Sequence, residues 1–154
     1  MKESSTWLTV QKALMKSQRD DVTRVENTVG MGTPDVHYCI SDKIVYGPLG
    51  VDSWKTTEGW LELKQIADYP KRPTTPVRVD HFTPQQRVWL TRRSLAGGRC
   101  HVLIQIAKDY HLFEGRVAAQ WLGSTPRDRL LALVEASWFG SLDHAGLREE
   151  LRCS

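Results

Sequence analysis

The largely apolar run HVLIQIA, residues 101–107, restricts the fold of this chain more than any other feature. A short apolar run bounded by Gly97-Gly98 and by a Lys108-Asp109 turn reads as a strand buried inside a sheet. The residues before it have a different period. Thr83 is a good helix N-cap, Pro84 suits the first helical position, and Gln86, three after the cap, completes a capping box. That helix is expected to reach about Leu95 and stop at Gly97-Gly98. YHLFEG, beyond the turn, is a hairpin partner for the buried strand.

Upstream, Val36 to Ile40 and Trp60 to Ile66 read as strands, while DYPKRPTTPVRVDH, with its three prolines, cannot be regular helix and is expected to wrap the surface. Trp7, Leu8, Val10 and Leu14 predict a short amphipathic helix over 5–16. A short strand, RVEN, is expected to end at Asn27, followed by a flexible VGMG turn. Ser41 to Gly59, with glycines, Pro48 and several polar residues, reads as a loop with room for a short hairpin. Thr125-Pro126 is expected to open a helix with Leu130, Leu133, Val134 and Trp138 on one face. Strands first, then alternating helix and strand, give a mixed α/β domain.

At 154 residues the chain fits one domain, and its 40% hydrophobic and 25% charged residues are those of an ordinary globular protein. No apolar run approaches the roughly 18–20 residues of a membrane span, and MKESSTWLTVQ lacks the apolar region of a signal peptide. Cys39, Cys100 and Cys153 are odd in number and contain no Cys-x-x-Cys, which argues against a disulfide framework or zinc site. The expectation is no membrane partner and a cytoplasmic setting. Net charge is only +3, but Lys71, Arg72, Arg78, Arg87, Arg92, Arg93 and Arg99 face one acid, Asp80, so this stretch is +6 and the remainder −3. Such a concentration can attract anions, though a solvated basic face has the same composition.

Alternation along the WLELKQ strand puts Trp60, Glu62 and Lys64 on one side and Leu61 and Leu63 on the other, with Glu62 and Lys64 roughly 7 Å apart at the backbone. Alone, such a pair is most simply a solvated ion pair. Asp35 follows Gly32-Thr33-Pro34 and opens the strand VHYCI, so it is expected to be held at a strand end; alone it is most simply a turn residue. Together, two converging carboxylates can hold a hard divalent cation, and a lysine held by them can orient a water or stabilise charge on a phosphate.

GTPDVHY followed by GWLELK, with 26 residues between Asp35 and Glu62, resembles the PD-(D/E)XK nuclease superfamily. Pro34-Asp35 stands for the PD and Glu62-Leu63-Lys64 for the ExK. FTPQQRVWL is similar to the glutamine-bearing helix of the VRR-NUC branch, and the small size looks like the stand-alone members common in bacteriophages. Archaeal Holliday-junction resolvases are more distant relatives with the same core. The resemblance covers about residues 24–107, leaving a C-terminal hairpin and helix at about 108–139.

That resemblance implies one nuclease domain over 1–154, with a restriction-endonuclease-like core: a central mixed sheet flanked by helices. It implies Mg²⁺ or Mn²⁺ bound by Asp35, Glu62 and the Leu63 carbonyl, Lys64 positioning the attacking water or the phosphate, and Gln86 set near the centre. The capping-box role of Gln86 is compatible with this. Members often carry another acid on the first helix; Glu3 and Glu26 are the candidates, with spacing unable to decide between them. Lys71, Arg72, Arg78, Arg87 and Arg93 are candidate DNA contacts, since nonspecific affinity comes mainly from phosphate neutralisation. Arg92 and Arg93 cannot both face the same way. The resemblance favours branched or otherwise structured DNA, a homodimer that can use the apolar Leu130–Trp138 helix, and, for a phage protein, the host cytoplasm. His37 and His81 are lesser candidates for the metal and for phosphate. Rival readings are a noncatalytic DNA-binding or assembly module that keeps the fold, and an unrelated fold in which WLELKQ is an ordinary strand.

Overall fold

In the computed structural model, which describes residues 3–26 and 31–154, one six-stranded mixed sheet carries helices on both faces. This α/β arrangement is consistent with a restriction-endonuclease-like core. Helix α1 (Glu3–Leu14) precedes β1 (Asp21–Arg24), β2 (Val36–Tyr46) and β3 (Val51–Ile66); helix α2 (Pro84–Leu95) leads to β4 (Cys100–Ile106). Then follow β5 (Asp109–Glu114), α3 (Gly115–Trp121), α4 (Arg127–Leu131), β6 (Ala136–Trp138) and α5 (His144–Cys153). The strands lie side by side in chain order, and every pair is antiparallel except β3 with β4. A parallel pair needs a long crossover. Here it is the segment from 67 to 99, with α2 at its end.

The apolar run of β4 is buried because it is central. Leu103 packs toward α1 and α5 with Val36, Tyr38, Leu61 and Leu63, while Val102, Ile104 and Ile106 pack toward α2, α3 and α4. Thr6 on α1 donates to Gln105 Oε1 on β4 at 2.9 Å and ties that helix to the sheet. The proline-rich segment is anchored at both ends. Tyr69 Oη lies 2.6 Å from Nε2 of the fully buried His111, and Val77, Val79 and Phe82 enter the α2-side core.

Four expectations need correction. The loop over Ser41–Gly59 is a long β2/β3 hairpin whose register runs unbroken from Val36↔Leu61 to Tyr46↔Val51. Backbone pairing does not require a buried face, and the hairpin tip has none: Val45, Tyr46 and Leu49 are exposed. The first strand ends at Arg24, with Val25 donating to the Asp35 carbonyl; Asn27 lies outside the described residues. The helix after Pro126 stops at Leu131, and Trp138 belongs to β6, paired with Tyr110. Leu130, Leu133 and Val134 pack on the α2 side of the sheet and Trp138 on the α1 side, so they do not form one face. Leu130 is buried within its own chain, and this segment offers no apolar helix for a second copy. Helices α3 and α5 were not expected at all; Glu114 and Asp143 cap them by accepting from Val117 N and Gly146 N. Among the described residues, no helix is long and apolar enough to cross a membrane.

Helix α5 is tied to the sheet through Arg148. Its guanidinium reaches Asp20 Oδ1 at 3.0 Å, Asp42 Oδ1 at 3.2 Å and the Ser41 carbonyl at 3.0 Å. Burial would raise the Asp20 pKa, but Arg148 and the amides of Ser41, Lys16 and Ser17 outweigh it and hold the carboxyl at about 2. The stabilisation is therefore present above the unfolded value of 3.8 and is lost as pH falls through about 2. Breaking a buried pair from one side is expected to cost about 3–5 kcal/mol. Chemical denaturation of Arg148→Ala should show a loss of that size, and Asp20→Asn should flatten the acid limb of the stability curve.

Candidate active site

Asp35 stands one residue before β2, and the β2/β3 register, continued one step past Val36↔Leu61, puts it opposite Glu62. Two bonds hold it there. Its Oδ2 accepts from Leu63 N at 2.9 Å, and its carbonyl accepts from Val25 N at 2.7 Å, so the residue is pinned from both neighbouring strands. The approach depends on Gly32, which has φ +89 and lies against the first turn of α2. A Cβ there would stand 2.5 Å from the Gln85 carbonyl carbon and oxygen. Only glycine combines that backbone conformation with that closeness.

Glu62 and Lys64 project together toward α2, and they are not a solvated pair. Glu62 is 0% exposed and Lys64 is 3% exposed. Lys64 Nζ lies 2.6 Å from Glu62 Oε1 and donates to the His81 carbonyl at 3.2 Å, with the Phe82 ring centroid 5.6 Å away. Gln86 reaches the same carboxylate: its Nε2 donates to Glu62 Oε1 at 2.6 Å. Its Oε1 meanwhile accepts from Thr83 N at 2.9 Å, completing the capping box, so one side chain both caps α2 and holds Glu62.

Glu62 Oε1 is thus satisfied twice, whereas Glu62 Oε2 is buried with no hydrogen-bond partner. Burial chiefly, then the neighbouring Asp35 charge, and last a carboxyl–carboxyl hydrogen bond with Asp35 that needs a proton between them, raise the Glu62 pKa to about 8, with Lys64 opposing them. An unpartnered buried carboxylate oxygen facing a second carboxylate is costly unless a proton or a cation joins it. Among the described residues no cluster of three or more His, Cys, Asp or Glu could hold a metal. Two carboxylates suit Mg²⁺, which keeps several waters and is commonly held by one or two carboxylates, better than Zn²⁺, which takes three or four protein nitrogen and sulfur ligands.

The remaining candidates divide. Glu26 is exposed and lines a cleft of about 350 Å³ together with Asp35, Thr33 and Gln86, so it stands at the site entrance. The side chain of Glu3 lies outside the described residues. His37 shares the Asp35 face, but its Nε2 is engaged by Glu58 Oε1 at 2.8 Å and its ring packs 4.7 Å from Trp60. His81 contributes its backbone carbonyl. Arg87 is committed internally: Nη1 donates to the Ala119 carbonyl at 2.9 Å and the guanidinium stacks 4.2 Å from the Phe82 ring. Lys71, Arg72, Arg78, Arg92 and Arg93 are exposed. The His81 carbonyl and the Phe82 ring escaped the reading of the sequence, since a backbone oxygen carries no residue signature and the phenylalanine reads as core. The chain matches no protein-family model and no curated protein.

Two outcomes follow from this geometry. With a folded pKa of about 8 against an ordinary 4.5, the Glu62 contribution to stability is fully present below about pH 4.5 and is lost as pH rises through about 8. Melting temperatures of the cation-free protein are expected to fall over that window, less so in Glu62→Gln, and to recover at the alkaline end when Mg²⁺ is added. A pH profile identical in the variant would remove this account of Glu62. Gly32→Ala is expected to push the turn off α2 and weaken Mg²⁺-dependent stabilisation by about 10-fold in apparent affinity, while far-ultraviolet circular dichroism stays unchanged.

Proposed function

We propose that this chain is a divalent-metal-dependent nuclease that hydrolyses DNA phosphodiester bonds at Asp35, Glu62 and Lys64. The observation that carries the reading is the placement of Asp35 opposite a fully buried Glu62 whose second oxygen has no partner, with Lys64 and Gln86 both on the first oxygen. Asp35 and Glu62 are the residues that would hold Mg²⁺ or Mn²⁺, with the Leu63 carbonyl added by the resemblance. When bound, such a cation supplies Lewis acidity at a phosphoryl oxygen and lowers the pKa of water.

The side chains do the rest. Gln86 and Lys64 fix one oxygen of Glu62 and leave the other to face Asp35. Lys64, positioned by Glu62 and the His81 carbonyl, brings a positive charge to the floor of the site, where it can stabilise charge developing on a phosphate or orient the attacking water. The exposed Lys71, Arg72 and Arg78 on the segment after β3, and Arg93 on α2, are suited to neutralising flanking phosphates. The resemblance extends the proposal to branched or structured DNA and to a homodimer.

The test is cleavage of a four-way junction, a flap, nicked, single-stranded and plain duplex DNA with Mg²⁺ or Mn²⁺. Glu62→Ala and Lys64→Ala are each expected to reduce the rate at least about 100-fold. Unchanged cleavage in both variants would sink the proposed site. Equal rates on plain duplex and branched DNA would sink only the structure-selective part. DNA binding without cleavage in the wild type would favour a noncatalytic module.

A further inference from the structure

The Asp35 cleft continues along the outer side of α2. Met31 and Gln85 border both that cleft and an adjoining depression of about 310 Å³ walled by Val88 and Trp89. Trp89 and Arg92 in turn border a second depression, also about 310 Å³, that reaches Arg93; the expectation that the two neighbouring arginines face apart is thus corrected, since both are exposed and line one depression. Consecutive depressions share lining residues, so they adjoin one another along α2 as a grooved surface. From Gln86, beside Glu62, to Arg93 it follows about 10 Å of helix axis.

Its chemistry changes along its length. It begins at the carboxylates, passes over apolar surface where Met31 is 75% and Val88 56% exposed, and ends at two guanidinium groups. Trp89 is braced from within: Trp60 meets it edge-on with centroids 5.5 Å apart, and His37 packs 4.7 Å from Trp60 in turn. The Arg93 guanidinium lies 5.9 Å from the Trp89 ring. Among the described residues, neither Arg92 nor Arg93 forms an ion pair with a carboxylate. A braced, half-buried indole between apolar side chains and guanidiniums that meet no carboxylate matches a polyanion that carries flat aromatic groups. A base reaches the face of such a ring only when it is unpaired and unstacked from its neighbours.

We infer that the groove along α2 binds an unpaired nucleic-acid strand, with one base against Trp89, Val88 and Met31 and the adjacent phosphates on Arg92 and Arg93. The direction of that strand toward Asp35 and Glu62 rests on the nuclease reading; the binding itself does not. In the cleaving complex the groove selects single-stranded tails or opened ends next to the scissile phosphate.

The test measures anisotropy of a labelled oligothymidylate and of a blunt duplex of equal length, both in EDTA so that no cleavage occurs. Trp89→Ala is expected to weaken oligothymidylate binding about 10-fold or more and duplex binding less than about twofold, with Trp89→Tyr restoring most of the loss. Val88→Glu, on the exposed side of α2, should act in the same direction without disturbing the core, which keeps the test open if Trp89→Ala folds poorly. Arg92→Gln should lower the slope of log affinity against log salt by about 1.

Failure of the wild type to bind oligothymidylate would overturn the inference. So would equal weakening of single strand and duplex by Trp89→Ala and Val88→Glu. If Val88→Glu changes only self-association in sedimentation, the groove is a contact between copies of this chain and the inference falls. The two readings separate cleanly. Cleavage lost in Glu62→Ala with normal oligothymidylate binding by the groove variants removes the groove alone. Oligothymidylate binding lost in those variants, with no DNA cleaved by the wild type, removes the nuclease alone.

Discussion

A carboxylate taken out of water must be hydrogen-bonded, neutralised or joined by a cation, and Glu62 is taken out of water completely. Most of what surrounds it answers that demand. The parallel pairing of β3 and β4 places Glu62 in the middle of the sheet, and the crossover this pairing requires brings α2 down onto it. Helix α2 delivers Gln86, the residue next along its face of β3 delivers Lys64, and the Gly32 turn brings the chain past the α2 N-terminus just before Asp35. Three separated stretches of sequence therefore meet at one side chain. Half of that side chain is satisfied, and the other half is left to a neighbour of like charge.

Much of this was legible in the residues. The α2 boundaries were, because its N-terminus carries a complete capping box and its end carries Gly97-Gly98, both local signals. The β4 strand was, because burial on both faces leaves a run of apolar residues interrupted only by Gln105 after His101. Asp35, Glu62, Lys64 and Gln86 stand out through the resemblance that their motifs carry, and these four do come together. The β segments that escaped share one physical cause: structure determined by long-range pairing. The outer β2/β3 hairpin has polar residues on both sides and is held by ladder bonds, so nothing in its composition separates it from a loop. In 127–138, Leu130 and Trp138 fit one helical face, yet β5 offers an unpaired edge and captures Ala136–Trp138 as a strand. Helix α5 is different: Leu147 and Leu151 lie four residues apart behind the Asp143 cap, so its signal is local and legible in the residues.

The basic stretch shows why charge alone is a poor guide to binding surface. Its cations share a sign but not a fate. Arg87 is spent inside, stacked on Phe82 and bonded to Ala119, and its pKa is lowered by desolvation. Arg92 and Arg93, five and six residues further on, sit on the outside of the same helix. The helical period sorts residues that composition treats as equal.

Gln86 belongs to two structures at once: its amide oxygen closes the cap of α2 and its amide nitrogen holds Glu62. The consequence is thermodynamic linkage. Whatever occupies the space beside Glu62 and Asp35 is coupled to the ordering of the first turn of α2, because one rotamer serves both. Fraying of that turn withdraws the amide, and a guest that favours the fixed carboxylate in turn discourages fraying. During folding, the pair cannot be held in this geometry until the crossover has been laid down and capped. A nascent or locally opened chain therefore carries the same residues without the site.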